Sequence, residues 1–347
     1  MPSQLKELTT VASSPSTVVM EREEGRVRVE RTGGAWRVTL EPSDPGRHME
    51  SRTHETRYPL ELIEGIAEIK EFGNICDEMR RDEAEDYVAR NIRQTIAGYC
   101  SLPSLKGARV LDFGCGMGAS TMRLANLLPD SRIVGIELEP QLLRIARKRQ
   151  EFYGAQNVTL LQSPGGDQLP PEIGTFDVIM FSALFEHLLP GERATLLPRI
   201  WSLLNPSGIL FITETPHRWH PREGHTTRLP FINYAPDAVA LWATRRFCRR
   251  YPRDVSWEFL LREGIRGGSV REIMGILRTA GGGRPSLLKP LPSDVRDRID
   301  VWFRETTQSR SKKLMRTAFK MLRYSTGITY VPSLSLAIRK SATVQSA

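Results

Sequence analysis

A run of seven residues, Asp112-Phe113-Gly114-Cys115-Gly116-Met117-Gly118, holds three glycines at alternate positions, and Glu137 closes the next apolar run. Glycines so placed let the backbone turn sharply and approach a ligand more closely than side chains would allow. A helix starting behind them offers free N–H groups and a partial positive charge. In dinucleotide enzymes that end meets a pyrophosphate. Here Asp112 stands before the first glycine, where a carboxylate repels phosphate and attracts an ammonium group. Glu137 falls where an acid accepts both hydroxyls of a ribose. The pattern favours S-adenosylmethionine, a nucleoside with an amino-acid end and no phosphate, over a nicotinamide dinucleotide. Each acid also has a plainer reading, as a helix cap or an exposed charge.

Four of the six histidines lie between His187 and His225. Phe185-Glu186-His187-Leu188 follows an apolar run, at the edge where ligands bind in open α/β sheets. A second group runs Glu214-Thr215-Pro216-His217-Arg218-Trp219-His220, then Glu223-Gly224-His225-Thr226. His187 and His225 are the candidate catalytic groups, able to take a proton from a hydroxyl acceptor, with His217 as the alternative to His225. Pro216 and Pro221 make this stretch a loop, and His217, His220, Glu223 and His225 lack a helix-based ligand spacing, so no metal is expected. Cys76, Cys100, Cys115 and Cys248 show no CxxC pairing and announce neither a disulfide framework nor a zinc site.

These residues need a scaffold, and the chain supplies alternating strands and helices. Apolar strands are expected at Ala108–Asp112, Arg132–Glu137, Asn157–Leu161, Phe176–Phe181, Ile209–Thr213 and Ser333–Lys340, with helices after the first, second and fourth. The fold class is α/β: a Rossmann-like, doubly wound, mostly parallel seven-stranded sheet with a helical cap or insertion. Five stretches follow. Residues 1–57 read as a polar, partly disordered extension whose only strand signal is Ala35–Leu40. Residues 58–105 form a helical cover, with Leu62, Ile63, Ile66, Ile69 and Phe72 on one face and Tyr87, Val88, Ile92 and Ile96 on another helix. Residues 106–215 are the cofactor-binding core, 216–325 a mostly helical basic cap, and 326–347 the final strand and tail.

Val110–Gly118 resembles the first motif of class I S-adenosylmethionine-dependent methyltransferases of the small-molecule type, and Ile133–Glu137 the second. Phe176–Ser182 resembles their fourth-strand motif, and Leu204–Leu210 their "LkPGG" turn, with Ser207 in place of the first glycine. The similarity spans about residues 105 to 215 and the last strand. It implies that Gly114, Cys115, Gly116 and Gly118 hold the methionine moiety beside Asp112, that Glu137 holds the ribose, and that Leu138 lies along the adenine. Many members place an acid against the adenine amino group after the third strand. Asp167 is the candidate there, beside its plain reading as a loop aspartate. Glu186-His187 resembles the "EH" of many small-molecule members, whose histidine often packs near the cofactor.

The net charge is +9, and residues 240–325 carry 20 Lys and Arg against 8 acids. Within Arg310–Arg323, Leu314, Met315, Ala318, Phe319 and Leu322 share one helical face opposite a basic one. That suits a helix on a membrane surface, and equally one docked on the domain with its charges solvated. The expected reaction is O-methylation of a small-molecule, sugar or lipid-linked acceptor. Two alternatives remain open: an RNA or DNA methyltransferase using the basic cap, and a non-catalytic cofactor-binding partner protein. Against nucleic acid, no Asn-Pro-Pro-Tyr loop follows the fourth strand and no Pro-Cys nucleophile pair occurs. No apolar run nears the roughly 20 residues of a membrane span, and the first residues lack a signal-peptide core. A cytoplasmic location is expected, extended by peripheral contact at a membrane face.

Overall fold

The computed structural model describes residues 8–44, 52–166, 168–171, 173–291 and 295–341. Its first layer is a five-stranded antiparallel meander: β1 (Thr9–Ser14), β2 (Thr17–Arg22), β3 (Gly25–Thr32), β4 (Ala35–Pro42) and β5 (Thr53–Thr56). This corrects the expectation of a partly disordered extension with one weak strand. Val27 and Val29 alternate with Arg26, Arg28 and Glu30, so a period of two hides inside a polar composition. Gly33-Gly34 joins β3 to β4 as a two-residue hairpin turn, with Thr32 paired to Ala35. Arg28–Glu41 and Arg37–Glu55 pair on the exposed face. The inner face, with Val18, Met20, Val38 and Leu40, packs on two helices, α1 (Leu60–Ile69) and α2 (Ile75–Glu83).

A third helix, α3 (Val88–Ala97), completes the cover expected over 58–105. The core then alternates β6 (Arg109–Phe113), α4 (Ala119–Leu127), β7 (Arg132–Glu137), α5 (Pro140–Tyr153), β8 (Val158–Gln162), β9 (Phe176–Ser182), α6 (Pro190–Ser202) and β10 (Leu204–Pro216). Beyond it come α7 (Asp237–Phe247), α8 (Trp257–Arg262), α9 (Val270–Thr279), β11 (Pro285–Leu287), α10 (Arg298–Glu305), α11 (Arg310–Thr326) and β12 (Ser333–Lys340). The main sheet runs β11-β12-β10-β9-β6-β7-β8, with β12 antiparallel to both neighbours and the other pairs parallel. The first-loop glycines thus sit at the topological switch, where strand order reverses beside β6.

Both faces of the sheet are buried, so its strands read as continuous apolar runs. Leu111, Ile179 and Ile212 face α6 and α9, and Val110, Val178 and Phe211 face α3 and α4. The seventh strand, β11, lies inside the stretch read as cap. Three residues led by a proline give no period to detect, and only pairing with β12 makes them a strand. Ser207 adopts φ 67°, the left-handed conformation that favours glycine at this turn. Residues 218–267 form an excursion with its own small core of Ile232, Ala240, Val255, Leu260 and Ile265. Its ends are clamped together: Arg218 N–H donates to the Gly268 carbonyl at 2.8 Å, and Gly268 N–H to the Pro216 carbonyl at 2.9 Å.

Helix α11 docks through Met315 and Phe319 on Trp302 and Phe303 of α10. Arg316 and Lys320 pair with the buried Asp300, and Arg323 with Asp297. The docked reading of this helix holds, but three of its charges are paired rather than simply solvated. Among the described residues, no helix is long and apolar enough to cross a membrane.

Candidate functional site

The glycine loop is fixed from below. Gly114 and Cys115 N–H groups both donate to the Ile136 carbonyl at 2.9 Å. The three glycines, at φ 74°, 55° and 87°, hold left-handed backbone for different reasons. A Cβ on Gly114 would meet the Leu184 side chain at 2.9 Å, and one on Gly118 would meet Ala146 of α5 at 2.9 Å. A Cβ on Gly116 would meet nothing within 4 Å. The middle glycine alone faces open space, which leaves bare backbone available to a ligand.

Asp112 is buried beneath the loop. Its Oδ2 accepts from the Ser120 hydroxyl at 2.8 Å and from the Thr121 hydroxyl at 2.7 Å, so it also ties down the start of α4. Burial raises its pKa, and those two hydroxyls oppose the shift. Cys115 is buried and its thiol is pushed well up by desolvation. Glu137 Oε2 accepts from Gly116 N–H at 2.8 Å, and Oε1 from the N–H groups of Leu138 at 2.8 Å and Glu139 at 3.0 Å. The acid expected on a ribose thus also organises the turn around itself; each oxygen keeps further lone-pair capacity. Leu138 is 41% exposed, a large apolar side chain left open beside Gly166, whose Cβ would come to 3.9 Å from it. Asp167 lies outside the described residues.

Arg81 of α2 is a candidate site residue that no motif announces. Burial pulls its pKa down, but Glu78 and Glu214 more than offset that and the guanidinium is held firmly charged. It lies within electrostatic reach of Asp112 as well. No described residue hydrogen-bonds the guanidinium; its recorded contact is the Tyr87 ring, 5.9 Å from the centroid. Open backbone at Gly116, spare acceptor capacity on Glu137, an exposed Leu138 and an uncommitted cation form a cradle that fits an amino-acid nucleoside.

From Glu214 a cleft of about 500 Å³ runs under the cap, lined by His217, His225, Arg222 and Arg228 among others. Ala183 and Glu214, just past β9 and near the end of β10, both take positive φ, at 49° and 59°. Non-glycine backbone held there is strained, and such strain clusters at ligand sites. Among the described residues, Arg222 and Arg228 have no ion-pair partner. Glu223 is spent on architecture: its carboxylate accepts from the backbone N–H groups of His225, Thr226, Thr227 and Arg228 and from the Thr227 hydroxyl. His217 is buried, its Nδ1 has no partner, and burial lowers its pKa to about 4.

His187 and His225, 38 residues apart in sequence, are brought together with ring centroids 5.5 Å apart. His187 lies in a single helical turn after β9, and His225 on the loop that Glu223 holds. His187 Nδ1 is 2.5 Å from the Arg262 carbonyl, which can only accept, so Nδ1 carries a proton and in the neutral ring the lone pair is on Nε2. Glu186 is fully buried; burial raises its pKa to about 7, against the opposing pull of His187.

Residues 110–208 match the family model described as a methyltransferase domain. A carboxy-S-adenosyl-L-methionine synthase of Klebsiella pneumoniae subsp. pneumoniae is 27% identical over 135 residues, covering 35% of this chain and 54% of the relative. A trans-aconitate 2-methyltransferase of Variovorax paradoxus is 31% identical over 137 residues, covering 40% and 49%. The chain therefore spans about half the length of the curated relatives it matches. Among solved structures, PKMT2 from Rickettsia typhi in complex with AdoHcy is 16% identical, covers 73% of this chain and 53% of that one, and gives a TM-score of 0.43.

Proposed function

We propose that this chain, whose residues 110–208 match a methyltransferase domain, is a class I S-adenosylmethionine-dependent methyltransferase that methylates an oxygen on a small anionic or lipid-linked acceptor. S-adenosylmethionine, when bound, supplies a methyl group already activated on a sulfonium. The chain's own task is to place an acceptor in line with it and to keep water out. Gly116 offers backbone to the amino-acid end, Arg81 a charge-assisted bond to its carboxylate, and Asp112 a negative field for its ammonium. Glu137 accepts from the ribose, and Leu138 covers the adenine face.

The acceptor enters through the cleft, where Arg222 and Arg228 attract an anion. His187 or His225 takes the proton that a hydroxyl acceptor must lose, and the free Nε2 of His187 suits that role. The cap supports a membrane-facing acceptor: Trp219, Phe231, Trp242 and Phe247 are exposed within the same Arg-rich excursion. Large amphipathic rings among cations suit the interface of an anionic lipid surface. The trans-aconitate relative adds little about the acceptor, because the shared stretch covers only 40% of this chain.

The reading is carried by the open space over Gly116, whose N–H Glu137 holds, with the charge of Arg81 felt at Asp112 beneath the loop and at Glu214, which lines the cleft. Its test is a screen with labelled methyl donor against carboxylate, phosphorylated and lipid-linked acceptors, alongside calorimetry with S-adenosylmethionine. The expected result is cofactor binding and label on an anionic acceptor. Absence of cofactor binding, or label on neutral acceptors alone, would overturn it.

A further inference from the structure

Glu186, His187 and His225 each present one ligand atom, and these three atoms all lie within 4.8 Å of one another. We propose that they form a binding site for one divalent transition-metal cation at the acceptor end of the cleft. Glu186 supplies the observation that points to a ligand. Its side chain is fully buried, Oε2 accepts from the Thr215 hydroxyl at 3.2 Å, and Oε1 has no hydrogen-bond partner. That orphaned oxygen lies 3.8 Å from His187 Nε2. A buried acceptor left unmet costs stability unless a partner arrives.

The arrangement around the group is that of a ligand set. His187 donates Nδ1–H to the Arg262 carbonyl, the backbone contact that fixes ring orientation and leaves Nε2 to coordinate. Gly264, at φ 88°, lets its backbone pack close: a Cβ there would stand 2.9 Å from the His225 ring and 3.1 Å from Glu186. Two imidazoles and a carboxylate suit zinc or another first-row divalent ion, with a remaining position for water or an acceptor oxygen. His187 and His225 keep exposed surface, and His225 also lines the cleft. The Arg250 guanidinium near His225 counts against a cation, and Glu263 nearby offsets it. The site stands on geometry alone; a bound ion would occupy the histidine lone pairs and would polarise an acceptor oxygen in place of their acting as bases, a use that rests on the methyl-transfer reading.

Metal-stripped full-length protein titrated with Zn2+ in a calorimeter should bind one ion per chain at micromolar or lower concentration, and Zn2+ should raise its melting temperature. E186Q, H187A and H225A should each weaken binding at least tenfold, whereas H54Q in the N-terminal layer should not. Because a variant can fail to fold, Co2+ added to the unaltered chain gives a second readout: ligand-field absorption of a four- or five-coordinate nitrogen–oxygen site. Absence of saturable binding, binding that survives all three substitutions, or a spectrum of octahedral aqueous Co2+ would overturn the proposal. Metal binding without methyl transfer would instead sink the reaction while leaving the site. Methyl transfer undiminished by a chelator would show that the ion plays no part in it.

Discussion

At the scale of single residues, the acids of the cofactor loop could be read in advance, because the chain itself sets their distance: a strand, a glycine turn, a helix and a strand leave little freedom. Arg81 could not, since it reaches the loop from a separate helix and belongs to no motif. Its guanidinium has no hydrogen bond to lose among the described residues. Arg81→Met is therefore expected to weaken S-adenosylmethionine by on the order of 10- to 100-fold in calorimetry, as for a lost charge-assisted bond, in protein that remains folded at the assay temperature. Unaltered affinity would remove Arg81 from the site. Glu305 of α10 is the second residue with a readable consequence. It accepts from the Thr95 and Ser335 hydroxyls, and burial raises its pKa to about 7, above the ordinary 4.5. The folded state then keeps a proton that the unfolded chain releases, so stability falls as pH rises from about 4.5 to about 7 and is level above that. Glu305→Gln should unfold at a higher temperature than the natural chain at pH 8, by an amount worth up to about 3 kcal/mol, and at the same temperature below pH 4.5. A constant difference across that range would exclude Glu305 as the titrating group.

Among elements, α5 joins the N-terminal layer through Ile145, Leu142 and Phe152, and one polar side chain extends that joint to the glycine loop. Arg149 is fully buried; its guanidinium donates to Glu78 Oε1, to the Glu78 carbonyl and to the Met117 carbonyl of the glycine loop, each at 2.9 Å, and lies 3.3 Å from Asp82. Breaking such a pair from one side leaves uncompensated buried charge. Arg149→Met should cost about 3–5 kcal/mol in urea unfolding, and cofactor affinity should fall with it because the loop carbonyl loses its donor. A loss below 1 kcal/mol would show that the cluster is not structural. The core elements were legible because their runs are apolar on both faces. The meander was not, because its Arg–Glu pairs make a sheet look like solvent-loving chain, and the pairing partner that reveals a strand is remote in sequence. His187 and His225 were each visible as residues able to move a proton. Their meeting was not, since it depends on how the excursion folds back over β9.

Over the whole molecule, positive charge and exposed rings gather in the stretch beyond β10, away from the N-terminal layer. Co-sedimentation with vesicles rich in anionic lipid should be strong at low salt and fall steeply as salt rises, and the Trp242→Ala, Phe247→Ala double variant should lose much of it. Equal binding to neutral vesicles would contradict the electrostatic half of this picture, and tighter binding to random oligonucleotides would favour a nucleic-acid substrate. The family match ends at residue 208, before the excursion of residues 218–267 begins. That excursion leaves and rejoins the chain at adjoining points, where Arg218 and Pro216 both bond to Gly268. It behaves as a visor hung from one doorway: another visor could be fitted there without rethreading the sheet. What the protein modifies can therefore diverge quickly, while the machinery that supplies the modifying group stays as it was.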